Sequence, residues 1–472
     1  MKKPYFFQAI AWACLTLLLA ALIRSPAQAE PGFAITQSGD AYYPFTINEN
    51  LLSGPPDESA LNHALGPQDQ IFVKGRHFYT VGHDAQAGTD DDTRIRLFGA
   101  NLSFAANFPA EKDAAAYARR LRKLGFNAVR LHHLDTHPND TEIPPRSVLG
   151  TGPYPTFNPV AIHRLRTFIE ALSSEGIYIN LNLRVGYRLR PAADGLPPLD
   201  KGQERAASVG TPIHVYYPPL IERQEVYAGE LIKALGLNDN PALAMVEINN
   251  ESSLLAGWIG EAWWGDSWRN AIPSAYAAPL QQQWRQWIDH RYGSVQAACK
   301  AWDNCDDPDP AMLPSANIAG LEDAVPTLPQ RISNKLNRMA RSVGLGDDAS
   351  SPPSPVQRYK YDFLAFLMEM DRAYLDRMKA VVRAATGTPV PVTGTQMNYG
   401  GILNLDSHAG MDYIDDHVYI GHHVYANGNP WLSEDWRVQN VSASGEGIAR
   451  LMALSLRRDA SKPFVVSEFN QP

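Results

Sequence analysis

The sequence predicts an α/β chain of the (β/α)8-barrel type, and three observations predict it. The stretch Pro241–Glu251, PALAMVEINNE, reads as a nearly unbroken apolar strand from Ala242 to Ile248 that ends abruptly in Asn249, Asn250 and Glu251. Near the far end, Pro463–Gln471, PFVVSEFNQ, repeats the form, broken by Ser467 and Glu468. Before and between them, strand-like runs alternate with helix-like segments, as in a βα series. Continuous apolar runs suit parallel strands buried on both faces, and a barrel of such strands carries its chemistry at their carboxyl ends. No Gly-x-Gly-x-x-Gly follows the first strand, no Walker loop is present and no internal repeat is found, so the usual marks of nucleotide folds are missing.

Residues 30–93 read as a small β-rich lead-in of short runs between turns, including IFVKGRHFYTV (71–81). The barrel is expected over 94–472. Its first strand is RIRLFGANLSF (94–104), followed by a helix over Pro109–Leu124, with Pro109 suited to the first turn and Gly125 placed to end it. The second strand is NAVRLHH (127–133), and its helix starts at Asn158-Pro159 and stops by Gly176. The third is IYINLNL (177–183), with a helix over Leu220–Leu235, and the fourth is the opening stretch. A long insertion, about 252–355, holds a Trp-rich loop and a Pro/Asp/Ser-rich tract. A helix with Phe363, Phe366, Leu367, Met370, Tyr374, Met378 and Val381 on one face leads to strand five (390–396). Strand six is DYIDDHVY (412–419), Gly445–Arg457 supplies the next helix, and PFVVSE is strand seven.

With 472 residues, 44% of them hydrophobic, the chain can bury a large core. A net charge of −8 without a basic run argues against nucleic-acid binding through phosphate neutralisation. Met1-Lys2-Lys3, an apolar segment from about Ala9 to Ile23, and Ala27-Gln28-Ala29 read as a secretory signal over 1–29, cut before Glu30. The apolar run is shorter than the roughly 20 residues a membrane span needs, so a secreted or periplasmic protein without stable membrane insertion is expected. Removing the signal leaves Cys299 and Cys305, which in an oxidising compartment are expected to pair.

Two glutamates at strand ends form a pair suited to general acid and nucleophile work on a glycosidic bond. The nucleophile has to stay ionised, which an adjacent arginine favours. The acid has to stay protonated, which burial and the nucleophile's charge favour. In GFNAVRLHH, EINNE, DHVY and VVSEF, from about Arg94 to the end, the chain resembles the retaining glycoside hydrolases of clan A, most closely family 5-like cellulase-type enzymes. QQWRQWIDHRYGSVQAACKAW also looks like a segment of some clan members, including certain β-galactosidases. The resemblance implies Glu251 as acid/base, Glu468 as nucleophile, Asn250 on the sugar 2-hydroxyl, Arg130 holding Glu468 ionised, Tyr419 bonding the nucleophile and His417 near the acid/base. His132 and Trp431 complete the expected substrate contacts. Trp258, Trp263, Trp264 and Trp436 suit either sugar stacking or packing of the inserted loop. The scheme takes a carbohydrate substrate and calls for no metal and no cofactor.

Two other readings fit parts of the sequence. His132, His133, Asp135 and His137 after strand two, with His417, His422 and His423 at strand six, are metal-ligand types that suit a metal-dependent hydrolase on the same barrel. A non-catalytic carbohydrate-binding barrel is the second. A closed barrel also needs an eighth strand, and the seventh carries Glu468, just before Pro472. The sequence is therefore expected to be a fragment, truncated after strand seven and lacking at least one further βα unit.

Overall fold

The structure is a computed structural model that describes residues 57–136, 138–199, 212–259, 272–303, 305, 309–313, 355–420, 424–425, 436–437 and 447–470. The expected signal segment, His137, Trp263, Trp264, His422, His423 and Trp431 lie outside these residues. By its contacts the chain divides into a larger unit, Ser53–Ile420 with Ala443–Gln471, and a smaller one, Met1–Leu52 with Gly421–Ser442 and Pro472.

The larger unit opens with an antiparallel sheet of β1 (Ile71–Lys74), β2 (His77–Thr80) and β3 (Thr93–Ile95). The run expected as one strand over 94–104 is split. Thr93–Ile95 completes this small sheet, and β4 (Gly99–Ser103) begins a parallel one. The Asn127 side chain shapes the break, its Oδ1 accepting the Phe98 N–H at 2.7 Å and its Nδ2 donating to the Arg96 carbonyl at 2.8 Å. Ile71 and Phe78 of the small sheet pack in one apolar cluster with Ala128, Tyr178, Ala244, Met245 and Tyr413, from the amino ends of the parallel strands or just before them. The small sheet thus plugs the face opposite the strands' carboxyl ends.

Five parallel strands run in the order β4, β5 (Ala128–His132), β6 (Tyr178–Arg184), β7 (Leu243–Asn249) and β8 (Val392–Thr393). They alternate with α1 (Glu111–Lys123), α2 (Pro159–Ser174) and α3 (Pro218–Ala234), and the excursion after β7 contributes α4 (Leu254–Ile259), α5 (Ser274–Tyr292), α6 (Val295–Trp302) and α7 (Pro355–Thr386). Local chemistry sets the helix ends. Asn158 caps α2, its Oδ1 accepting from the Val160 and Ala161 N–H groups, and Pro159 occupies the first turn. After α2 the backbone turns at Gly176 with φ 77°, where a Cβ would meet the His63 carbonyl oxygen at 2.2 Å.

β9 (Ile414–Tyr419) follows. Backbone bonds from Asp412 N–H to Val392 O and from Met397 N–H to Asp415 O, both 2.9 Å, lay it along the line of β8. In the smaller unit, β10 (Val424–Tyr425) pairs antiparallel with β11 (Trp436–Arg437). In the larger unit, α8 (Ile448–Leu456) leads into β12 (Phe464–Asn470), which pairs in parallel with β9. The expected α/β alternation with parallel strands is therefore what the structure shows, in a five-stranded sheet and a two-stranded one. Every residue of β5, β6 and β7 is buried, whereas β4 and β12 are largely half-buried or exposed. The outer edges of β4 and β12 carry no strand partner among the described residues. A cavity of about 110 Å³ lies between them, bordered by Leu97, Gly99 and Asn101 on one side and Val465, Ser467 and Phe469 on the other.

The tryptophan-rich segment 282–302 is a packing unit. Trp284 stacks with Trp287 and Trp302 at 5.2 and 6.0 Å and meets Phe363 of α7 edge-on at 5.2 Å. Cys299 and Cys305 are joined by a disulfide at the end of α6. A loop this short gives the bond about 2 kcal/mol through the unfolded chain. Intact-mass analysis of the native protein should find the two thiols oxidised within one chain, and two free thiols would contradict it. No helix among the described residues is long and apolar enough to cross a membrane.

Candidate active site

The carboxyl ends of β5, β6, β7, β9 and β12 gather a polar network around Arg130, which is 4% exposed. Its Nε donates to both oxygens of Glu247 at 3.0 and 2.9 Å, and its Nη2 donates to Glu247 Oε2 at 2.6 Å. Nη2 also reaches Asn250 Oδ1 at 2.9 Å, while Nη1 donates to Glu468 Oε1 at 2.6 Å. One guanidinium thus bridges two carboxylates from β7 and β12. The second oxygen of Glu468 accepts from the Tyr419 hydroxyl. Burial opposes ionisation of Glu468, but Arg130 first, then His417, outweigh it and hold the carboxyl down at about 2.

Glu251 stands just beyond β7 with φ 47°, a left-handed backbone uncommon for a non-glycine residue and typical of strained functional positions. Its backbone N–H donates to Gln396 Oε1 at 2.7 Å. Its Oε1 lies 2.7 Å from His417 Nδ1, and its Oε2 accepts from the Tyr399 hydroxyl at 2.8 Å. A carboxylate oxygen of Glu251, one of Glu468 and a ring nitrogen of His417 lie within 4.8 Å of one another. The glutamates differ in setting: the Glu468 side chain is 12% exposed beside a cation, and that of Glu251 is 30% exposed and open to the cleft.

His132 is 3.4 Å from Glu468 Oε1, with Nδ1 2.8 Å from Asn182 Oδ1. Burial, then the Arg130 charge, lowers its pKa to about 2, so it stands neutral beside the carboxylate. Burial also opposes charge on His417, but the bond to Glu251 and the charges of Asp415 and Glu468 prevail, and its pKa is raised. The structure therefore brings together Arg130, His132, Asn250, Glu251, His417, Tyr419 and Glu468, and Trp431 lies outside the described residues. Trp258 is fully buried against Phe363 at 5.5 Å, which makes it a core residue and rules out sugar stacking there.

A bulge shapes the β12 end. The register with β9 shifts between Val466 and Glu468, so two consecutive residues address the site, Ser467 toward Asp415 and His417 and Glu468 toward Arg130. Sequence reasoning passes over Ser467, Asp415, Gln396, Tyr399 and Glu247. For Glu247 the signal was present: a carboxylate inside an apolar strand requires a buried partner, so the strand is not the nearly unbroken apolar run it resembles. The metal-ligand grouping after strand two does not assemble among the described residues. Asp135 spends both oxygens on the Val185, Gly186 and Tyr187 N–H groups, and the His133 ring stacks on Phe104 at 4.2 Å.

No family model matches the sequence, and neither does any curated protein. Among solved structures, the chain is similar to the β-galactosidase of the psychrophilic Marinomonas ef1 at 14% identity, over 68% of this chain and 41% of that one, with a TM-score of 0.38. It is similar to the cold-adapted β-galactosidase of Rahnella sp. R3 at 13% identity, over 78% and 50%, with a TM-score of 0.45. The endo-1,4-β-mannanase of Rhizomucor miehei follows at 10%, over 85% and 82%, with a TM-score of 0.40. The chain spans half or less of the length of the two β-galactosidases. At such identities, and with TM-scores below 0.5, the site's own geometry has to carry any functional reading.

Proposed function

We propose that the protein is a retaining β-glycoside hydrolase, with Glu468 as nucleophile and Glu251 as acid/base. The observation that carries this is the approach of the two carboxylates to within 4.8 Å, one of them held on Arg130. Retaining enzymes place their carboxyl groups about 5–5.5 Å apart, whereas inverting ones leave room for a water at about 6.5–9.5 Å. In the first step Glu468 attacks the anomeric carbon while Glu251 protonates the leaving oxygen. In the second, Glu251 takes a proton from the water that releases the sugar. Arg130 keeps the attacking group anionic. Asn250, anchored through Oδ1, turns an amide nitrogen without a partner among the described residues toward a sugar hydroxyl. His132 and Tyr419 are assigned to the substrate-binding surface; the expected contact at Trp431 falls outside the described residues.

The arc of parallel strands is consistent with a (β/α)8 barrel of the clan A type. The charged–apolar–small pattern of 1–29 and the Cys299–Cys305 bond support export to the periplasm or beyond.

The test is covalent trapping. Dinitrophenyl 2-deoxy-2-fluoro-β-glycosides of glucose, galactose, mannose and xylose are incubated with the protein, and the labelled peptide is sequenced by mass spectrometry. The expected result is one fluoroglycosyl group on Glu468. A label on another residue, or release of product with inverted anomeric configuration, overturns the assignment.

A further inference from the structure

Asp415 is fully buried, and it is joined to Glu251 by two separate routes. Along the first, the Ser467 hydroxyl donates to Asp415 Oδ2 at 2.6 Å, Ser467 Oγ lies 3.0 Å from His417 Nε2, and His417 Nδ1 lies 2.7 Å from Glu251 Oε1. Along the second, Gln396 Nε2 donates to Asp415 Oδ2 at 2.9 Å, and Gln396 Oε1 accepts the Glu251 N–H at 2.7 Å. The Ser467 N–H also donates to Asp415 Oδ1 at 3.0 Å, which fixes the bulge.

The order of donors has a consequence. A serine has one hydroxyl proton, and with Asp415 ionised it goes to that carboxylate. Ser467 Oγ must then accept from His417, so Nε2 carries a proton and the neutral ring presents a bare Nδ1 to Glu251. Across a contact this short, one proton has to lie between them, on the carboxyl or on the ring. The opposite tautomer would donate from Nδ1 and favour a Glu251 already stripped of its proton. We propose that Asp415 is a positioning residue for the acid/base, acting through Ser467 and Gln396 to fix the His417 tautomer and the Glu251 backbone so that one proton is kept on the His417–Glu251 pair. This rests on the glycosidase reading above. That proton passes to the glycosidic oxygen as the bond from the anomeric carbon to oxygen breaks and the bond to Glu468 forms. It is replaced from water as the second step reverses those bonds. In between, a bare Nδ1 facing a carboxylate favours its return.

The groups facing this relay come from every neighbouring strand. Arg130 (β5) and Glu247 (β7) act on Asp415, Glu468 (β12) stands 3.7 Å from His417 Nδ1, and Tyr399 bonds the far oxygen of Glu251. Burial, then Glu247, pushes the Asp415 carboxyl up, and the His417 charge pulls it back.

Nitrogen-15 NMR of histidine-labelled protein reads the relay without any substrate, because protonated and bare ring nitrogens differ in shift. Wild type should show His417 protonated at Nε2. In Ser467→Ala that preference should be lost and the His417 titration should fall by about one pH unit, with Ser467→Thr restoring both. Asp415→Asn, of nearly equal volume, should lower kcat about 10- to 100-fold on phenyl β-glycosides with little change in KM, and much less on 2,4-dinitrophenyl ones that need no protonation. A His417 tautomer and titration indifferent to Ser467→Ala and Asp415→Asn would overturn the relay even in an active enzyme. Equal loss on both leaving groups would do the same. Wild type that turns over none of these glycosides would overturn the glycosidase reading, and the positioning role with it, whatever the NMR shows.

Discussion

Glu251→Ala is expected to lower kcat/KM by about 10²–10⁴ on phenyl β-glycosides, whose leaving group cannot depart without a proton. On 2,4-dinitrophenyl glycosides the first step should be nearly untouched. The second step, which needs a base for water, should become limiting and the glycosyl-enzyme should accumulate. Azide, a nucleophile that needs no base, should then relieve the block and yield a β-glycosyl azide. The site supports this division of labour: Glu251 is the more exposed carboxyl, and both its oxygens are oriented, by His417 and Tyr399, without touching Arg130. The measurement is a series of aryl glycosides of graded leaving-group acidity, with product analysis in azide. A loss of equal size across the series would mean that Glu251 supports the fold or binds the sugar without handling the proton.

What the sequence discloses of this site follows from chain-local chemistry. Glu251 and Glu468 stand out because each follows a largely apolar run, whereas Arg130, His417 and Tyr419 come from the resemblance of their segments to the strands of known enzymes. Glu247 was legible by the same logic and is hidden only by the apolar residues around it. Asp415, Gln396 and Ser467 were not, because their meaning depends on which strands become neighbours. Asp415 reads as one of two aspartates in strand six until β12 lies alongside with a bulge at Ser467. The break before β4 was hidden for a related reason. Nothing in RIRLFGANLSF marks the bend, which is held by Asn127, a residue 29 positions past Phe98. Periodicity reports which face of a strand is buried, and long-range partners of polar side chains decide where strands end and which carboxylates meet.

Arg130→Met is expected to cost about 3–5 kcal/mol of stability, because it leaves Glu247, wholly buried, and Glu468 without their cation. Part of that cost depends on pH. The folded Glu468 carboxyl, at about 2, lies below its ordinary value of 4.5. Its contribution is therefore complete above about 4.5 in wild type and lost as pH falls toward 2; without Arg130 the largest part of it is missing at every pH. A second substitution separates fold from chemistry. Arg130→Met with Glu247→Leu removes the buried pair together, and replacing such a pair by apolar groups is often neutral or stabilising. Asn180 Nδ2, which donates to Glu247 at 2.5 Å, loses its acceptor, a penalty of about 1–3 kcal/mol. The double variant should recover most of the stability lost in the single one, measured by urea midpoints. Its activity should not recover with the fold. Glu468 would still lack its cation, burial would then dominate and raise its pKa, and the acid limb of fluoroglycoside labelling should move upward from about 2 into or above the ordinary carboxylate range. A double variant that folds well and is labelled on Glu468 at the wild-type rate and pH dependence would show that Arg130 serves the fold and not the reactivity of Glu468.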